Sequence, residues 1–81
     1  MKNLKLGKYK HFKGNYYEVL GVAFHSELRE KMVVYKALYI NYELQKEYGD
    51  YPLFVRPFKI FIEKVEINGK KVPRFKYIGP I

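Results

Sequence analysis

The two histidines, His11 and His25, are the side chains best suited to metal binding or proton transfer in this sequence. In His25-Ser26-Glu27 the histidine and the carboxylate are two residues apart, so on a strand both would lie on one face and supply two metal ligands. A metal site needs three or four ligands, and no third one is near in sequence. We therefore expect a structural, hydrogen-bonded role for each histidine, with no metal and no cofactor.

Catalytic motifs are absent from the sequence. Ser26, the histidines and the acids could be combined into a triad, but no glycine-flanked serine supports a nucleophile elbow. The chain has no cysteine, which excludes disulfides, thiolate metal sites and a cysteine nucleophile. It also has no glycine-rich phosphate loop and no dinucleotide fingerprint. These patterns predict that the protein is not an enzyme.

Arg56 is the most informative charge in the interior of the sequence, because apolar Val55 and Phe58 flank Arg56-Pro57. It needs a carboxylate partner, for which Glu27 and Glu63 are the candidates, or else an anionic ligand. The ion pair is the favoured expectation. If Arg56 instead faces a pocket for a small anion or an acidic peptide, the candidate site residues are Tyr9, His11, His25, Tyr35 and Arg56.

The net charge of +8 is concentrated at the two ends of the sequence. Residues 1–13 carry five lysines and no acid, residues 70–76 carry four basic residues and no acid, and the segment between them is nearly balanced. If the two ends fold together, they form one positive face that attracts nucleic acid or another polyanion. The alternative is a solvated basic face that reflects a lysine-rich composition.

Aromatic residues lie among these basic residues, a combination that suits single-stranded nucleic acid, whose bases stack on rings while lysines hold the phosphates. Arginine is scarce, which argues against sequence-specific reading of bases. The candidate polyanion-binding residues are Lys8, Lys10, Lys13, Lys70, Lys71 and Arg74, with Tyr9, Tyr16 and Tyr77 as the stacking rings.

The element that must position these residues is the β-rich run Tyr16–His25, predicted to be the long central strand of a small sheet, with a bend or bulge at Gly21. Residues 8–13 are predicted to form a preceding strand, joined to it by a two-residue turn at Gly14-Asn15. That turn would pair Tyr9 with Leu20 and His11 with Glu18. A three-residue loop would shift this register.

The rest of the chain also indicates short strands. Residues 26–31 read as a connector and residues 32–40 as a strand, with Val33, Tyr35, Ala37 and Tyr39 on one face. A single helix over residues 27–48 is the less favoured alternative, because adjacent β-branched residues and tyrosines disfavour it. Residues 41–52 read chiefly as a loop, with a helical turn or two over residues 43–48.

Residues 53–56 indicate a strand, and Pro57 begins a short helix over residues 57–63, although this segment also suits a strand. Apolar residues spaced for one helix face in this region are Phe58, Phe61, Ile62 and Val65. Asn68-Gly69 predicts a type I′ hairpin between residues 64–67 and 70–75, which pairs Ile67 with Lys70. Pro73 should lie in an edge strand, near which a homodimer could form.

Together these elements predict a mainly β protein, built as a small, strongly bent antiparallel sheet or an SH3-like barrel of about five strands with one short helix. We expect one domain over residues 1–81, with residues 1–7 as a loosely ordered lead-in. The sequence shows no secretory signal and no apolar run of membrane-spanning length, so we expect a cytoplasmic protein.

Several blocks of the sequence resemble one small prokaryotic family, the domain of unknown function 1653, from Gly7 to Ile78. The blocks are Gly7-x-Tyr9-x-His11-Phe12-Lys13-Gly14-Asn15-x-Tyr17-x-Val19, Gly21-Val22-Ala23-x-His25-Ser26-Glu27, Val33-Val34-Tyr35-x-Ala37-Leu38-Tyr39, Val55-Arg56-Pro57 and Val72-Pro73-Arg74-Phe75. The loop over residues 41–48 is longer than the family pattern, and Phe54 stands where that pattern tends to have tryptophan. The resemblance implies a stand-alone cytosolic domain and transfers no activity.

The functional expectation is a non-enzymatic module that binds nucleic acid or another polyanion through its basic ends. The alternatives are the pocket protein centred on Arg56, His11 and His25, and a structural domain that forms homodimers.

Overall fold

The computed structural model describes residues 4–81, which form seven strands and two short helices. In chain order the elements are β1 (Gly7–His11), β2 (Tyr16–His25), β3 (Glu30–Ala37), α1 (Tyr42–Tyr48), β4 (Leu53–Pro57), α2 (Phe58–Phe61), β5 (Lys64–Ile67), β6 (Lys70–Pro73) and β7 (Phe75–Gly79). The protein is therefore mainly β, as the sequence predicted. Neither helix in the described part of the chain has the length and apolar character needed to span a membrane.

Five strands form one antiparallel sheet in the order β4-β3-β2-β1-β7, and β5 pairs with β6 in a separate two-stranded sheet. β2 is the middle strand and spans Tyr16–His25, as predicted. Its pairing with β3 shifts between Val19 and Gly21, which leaves Leu20 as the extra residue of a bulge at the predicted place. Within residues 4–81, β4 and β7 do not pair with each other, so the sheet bends but does not close into a barrel.

The predicted register of β1 against β2 is wrong by three residues. Tyr9 lies opposite Tyr17 and Lys10 opposite Tyr16, so His11 and Glu18 do not pair. The connection is longer than a two-residue turn, because the His11 N–H donates to the carbonyl of Asn15 and the Gly14 N–H donates to the carbonyl of His11. An odd shift exchanges the two faces of a strand, which places Tyr9 in the core beside Tyr17.

The core lies on the face where β3 alternates as predicted, with Val33, Tyr35 and Ala37 buried. This strand excludes the alternative long helix, although it ends at Ala37 and not at residue 40. The following segment was expected to be chiefly loop with a helical turn or two over residues 43–48, and α1 forms these turns over Tyr42–Tyr48. Its start is stabilised because the Asn41 side chain accepts a hydrogen bond from the backbone N–H of Glu43.

α2 is shorter than predicted and spans only Phe58–Phe61. Phe61 is buried and Phe58 packs against the core, but Ile62 is 44% exposed. Four residues make a single turn, so the predicted apolar stripe cannot continue to Val65, which lies in β5 instead.

The Asn68-Gly69 hairpin has the predicted register, with Ile67 opposite Lys70 and Lys64 opposite Pro73. Both turn residues have positive φ angles, 51° and 79°, as a type I′ turn requires. The predicted strand over residues 70–75 is divided at Arg74, whose N–H donates to the carbonyl of Glu63. Pro73 therefore ends β6, a strand with one unpaired edge in the described structure.

The pairing of β1 with β7 brings the two ends of the described chain together. Residues 1–3 of the predicted loose lead-in lie outside the described residues. The remainder is held in place, since Leu4 packs against the core and the Tyr9 hydroxyl donates to the carbonyl of Lys5 over 2.6 Å. Gly7 already belongs to β1.

The β1–β7 pairing can be tested by adding one methyl group at Gly7. A Cβ there would lie 2.6 Å from the carbonyl oxygen of Gly79, whereas one at Gly14 would meet no atom within 4 Å. Both glycines have positive φ, so Gly7→Ala and Gly14→Ala share the backbone strain and differ in the clash. We expect Gly7→Ala to lower the free energy of unfolding by about 1–3 kcal/mol more than Gly14→Ala, measured by urea denaturation. Equal losses would contradict the pairing.

Candidate functional site

Basic residues from both ends of the chain meet where β1 pairs with β7. Lys10 lies directly opposite Lys76, and both side chains are exposed. Residues directly opposite in an antiparallel pair point to the same face. The structure therefore joins the two basic segments, as the sequence suggested it would if the ends folded together.

A groove of about 650 Å³ adjoins this pair and separates it from the β5–β6 hairpin. We call it the basic groove. Its apolar lining consists of Phe12, Ile67, Val72 and Pro73, and its polar lining consists of Lys10, His11, Asn68, Lys70 and Lys76. No carboxylate belongs to this lining, so the groove combines apolar surface with positive charge.

Sequence reasoning identified only part of the basic groove. Lys10 and Lys70 were candidates, but Lys76 and the apolar lining were not. The Asn68-Gly69 signal predicted the hairpin correctly. No local signal showed that the hairpin would lie beside β1, because this depends on the break at Arg74.

The three predicted stacking tyrosines have different environments. Tyr9 is 4% exposed and belongs to the core, so it is not available to stack on a base. Tyr77 is half-buried, with its ring centroid 5.3 Å from that of Tyr9. Tyr16 is 37% exposed, and the Nζ atoms of Lys8 and Lys10 lie 4.5 and 5.7 Å from its ring centroid. Tyr77 also has a lysine over its ring, with the Lys5 Nζ 5.1 Å from the ring centroid, but Tyr16 is the most exposed of the three rings.

The remaining basic candidates lie outside the lining of the groove. Lys13 belongs to the turn after β1, with its Nζ 5.9 Å from the Phe12 ring centroid. Lys71 lies opposite Glu66 in the β5–β6 hairpin. The Arg74 Nη2 lies 2.9 Å from Oε1 of Glu63. Arg74 is therefore paired with an acid and contributes less free positive charge than predicted.

The five pocket candidates do not form one site. His25 lies at the far end of β2, where its Nδ1 accepts a hydrogen bond from the N–H of Leu28 over 3.1 Å. Tyr9 and Tyr35 are buried in the core. Arg56 approaches only part of the set, since its Nε donates to the Tyr35 hydroxyl over 3.1 Å.

The expected carboxylate partner of Arg56 is wrong. The ion pairs of residues 4–81 are Lys36–Glu18 and Arg74–Glu63, so Glu63 is paired with a different arginine. Arg56 lies instead over an aromatic ring, with its Cζ 5.4 Å from the ring centroid of Phe75. Its charge is stabilised by this ring and by the Tyr35 hydroxyl.

His11 has a structural hydrogen bond, as expected, because its Nδ1 accepts from the N–H of Lys13 over 3.1 Å. Burial and then the positive charges of Arg56, Arg74 and Lys13 lower the pKa of His11 below its ordinary value of 6.5. His11 therefore lies in positive surroundings. Within residues 4–81, no three histidine or acidic side chains are placed to hold a metal ion.

The lowered pKa of His11 predicts a specific dependence of stability on pH. The unfolded chain protonates His11 near pH 6.5, whereas the folded chain resists protonation to lower pH. The free energy of unfolding should therefore fall as the pH is lowered through 6.5, and this contribution should level off below the folded pKa. Titration by NMR should place the His11 midpoint below 6.5, and His11→Gln should remove this part of the pH dependence. A midpoint at or above 6.5 would contradict the assignment.

Comparison with known proteins agrees with the resemblance seen in the sequence. A family model described as "Protein of unknown function (DUF1653)" matches residues 7–77, from the start of β1 into β7. No curated protein matches the chain. The structure is similar to the crystal structure of a DUF1653 protein from Bordetella bronchiseptica, with a TM-score of 0.83 and 33% identity over 100% of this chain and 95% of that one. The chain therefore belongs to the DUF1653 family, whose function is unknown.

Proposed function

We propose that this protein is a non-catalytic binding module for nucleic acid or a similar polyanion, which it holds along the basic groove. The observation that carries this proposal is the β1–β7 pairing, which sets Lys10 opposite Lys76 and adds Lys70 from the hairpin. We infer that this binding takes place in the cytoplasm, a compartment compatible with a cysteine-free sequence.

The cost of the Lys10–Lys76 pair supports an anionic ligand. Like charges directly opposite in a sheet repel each other and destabilise the pairing. Neither lysine has an acid within ion-pair distance among the described residues. A phosphate bound between them relieves this repulsion and releases counterions from the nucleic acid. The positive charge at this pair is thus free for a ligand.

The apolar lining favours single-stranded nucleic acid over a duplex. Bases of a single strand are free to stack on aromatic rings, and Phe12 in the groove and Tyr16 beside Lys10 supply such rings. Of the three arginines, Arg74 is paired with Glu63 and Arg29 lies over the Phe24 ring. Arginine is the main reader of guanine edges, so we expect little sequence specificity.

The electrostatic part of the proposal can be tested by fluorescence anisotropy with a labelled single-stranded oligonucleotide over a range of salt concentrations. Removing two phosphate contacts with Lys10→Gln/Lys76→Gln should weaken binding and reduce the slope of log K against log salt by about 1.4, at about 0.7 per contact. Lys46→Gln/Lys59→Gln removes the same charge from α1 and α2 and should leave the slope nearly unchanged. Equal effects of the two double variants, or binding indifferent to salt, would refute the proposal.

The stacking part can be tested at Tyr16. Replacing it with leucine removes the aromatic face and should weaken oligonucleotide binding by about 1–3 kcal/mol if one base stacks there. Tyr42→Leu is the matched control, because Tyr42 is 80% exposed on α1. A duplex of the same length should bind both variants alike. Single-strand binding that is unchanged in Tyr16→Leu would show that no base stacks on this ring.

A further inference from the structure

Arg56 belongs to a second group of hydrogen-bond donors, on the face of the sheet that bears the core. It lies in β4 opposite Val33, which is fully buried. The guanidinium has five N–H donors and stays charged at any physiological pH. Only its Nε has a hydrogen-bond partner among the described side chains, the Tyr35 hydroxyl.

The two Nη atoms of Arg56 have no hydrogen-bond partner among the described residues. Arg56 is half-buried, and Nε of Arg74 is the one buried side-chain nitrogen or oxygen without a partner within residues 4–81. The Nη atoms of Arg56 are therefore not sealed inside the core. They present the paired N–H groups that match the two oxygens of a carboxylate or a phosphate.

His11 is a second donor near Arg56. Both approach the same ring, since the His11 ring centroid lies 4.8 Å from that of Phe75 and Arg56 lies over Phe75. Because Nδ1 of His11 accepts from the Lys13 N–H, the proton of the neutral imidazole is on Nε2, which can donate. Neither Arg56 nor His11 forms an ion pair among the described residues, and the Glu63 carboxylate is paired with Arg74.

Aromatic side chains lie next to Tyr35, the hydrogen-bond partner of Arg56, since the Tyr17 and Phe54 ring centroids are 5.4 and 5.6 Å from that of Tyr35. Tyr17 and Phe54 are half-buried, and their ring centroids are 6.2 Å apart. The Tyr17 and Tyr39 hydroxyls lie 2.9 Å apart, so one of them donates to the other and the second proton is free to donate elsewhere. Burial and the hydrogen bond with Tyr39 raise the pKa of Tyr17, which keeps it protonated. Hydrogen-bond donors and aromatic rings therefore lie close together around Tyr35.

We propose that Arg56, with His11 and the Tyr17–Tyr39 pair, forms a site for a small oxyanion, a carboxylate or a phosphate, carried on an aromatic or apolar body. The two Nη groups of Arg56 bind two oxygens of the anion, and the neighbouring rings contact the body of the ligand. The residue that anchors the anion, Arg56, does not line the basic groove, whereas His11 lies at the border of both sites.

The probes are benzoate and phenyl phosphate, with benzyl alcohol as the uncharged control ligand, each titrated into the ¹⁵N-labelled protein near pH 7. We expect saturable NMR shifts at Val33, Tyr35, Arg56 and Phe75, with a benzoate Kd on the order of 1 mM. Benzyl alcohol should cause no saturable shift. A preference for benzoate or for phenyl phosphate identifies the oxyanion. Equal shifts with benzyl alcohol would overturn the proposal.

The anchoring role is tested by substitution at Arg56. Arg56→Gln should weaken benzoate binding by about tenfold or more. Arg56→Lys keeps the charge but loses the paired N–H groups, and should also weaken it, so the test survives if the glutamine variant does not fold. Arg29→Gln is the matched control, because Arg29 also lies over an aromatic ring and should not affect benzoate.

The outcome for this site is separate from that for the basic groove. Lys10→Gln/Lys76→Gln should leave benzoate affinity unchanged while it weakens oligonucleotide binding. Benzoate binding that disappears in this double variant but persists in Arg56→Gln would place the anion in the groove and overturn the proposal. No saturable shift with either anion would overturn it as well.

Discussion

The ring of Phe75 in β7 lies against side chains from each of the other four strands of the large sheet and from α2. The side chains that lie against it are His11 from β1, Tyr17 from β2, Tyr35 from β3, Arg56 from β4 and Phe61 from α2. Phe61 stacks on it with the ring centroids 4.1 Å apart and an interplanar angle of 7°. Among the described strands β7 pairs only with β1, so the position of this ring depends on that pairing. The aromatic core is complete only when β7 has docked.

The same docking produces the charged features of the surface. Once Phe75 enters the core, its neighbour Lys76 points to the opposite face and meets Lys10. At Arg74, the N–H donates to the carbonyl of Glu63 and the carbonyl accepts the N–H of Phe12. These two hydrogen bonds hold the β5–β6 hairpin against the turn after β1. Three consecutive residues, Arg74, Phe75 and Lys76, therefore determine both the packing of the core and the shape of the basic groove.

Local patterns in the sequence predicted local structure well. The β-rich run of β2, the bulge at Gly21, the alternation of Val33, Tyr35 and Ala37, and the Asn68-Gly69 hairpin depend on neighbours a few residues away. The register of β1 depended on the length of one turn, so an error there exchanged the faces and misplaced Tyr9. The register was predicted correctly at the strong turn signal Asn68-Gly69 and wrongly at the weaker signal Gly14-Asn15.

The candidate sites depend on contacts between distant residues, and for that reason the sequence predicted them only in part. The sequence offered Glu63 as a candidate partner of Arg56, whereas in the structure Glu63 pairs with Arg74. The break at Arg74 decides the matter, because it places Arg74 beside Glu63 through backbone as well as side-chain contacts. His11 and His25 lie near opposite ends of β2, as the predicted hairpin implied, since His11 is close to the turn and His25 ends the long strand.

The pairing of the first strand with the last has a consequence for biosynthesis. Almost the whole chain separates Tyr9 from Tyr77, and closing so long a loop carries a large entropic cost before any contact repays it. While the ribosome is still making β7, the free edge of β1 and the aromatic surface that Phe75 will cover stay open to other chains. The sheet is therefore complete only after β7 has left the ribosome, and until then the open edge of β1 and the uncovered aromatic rings favour aggregation.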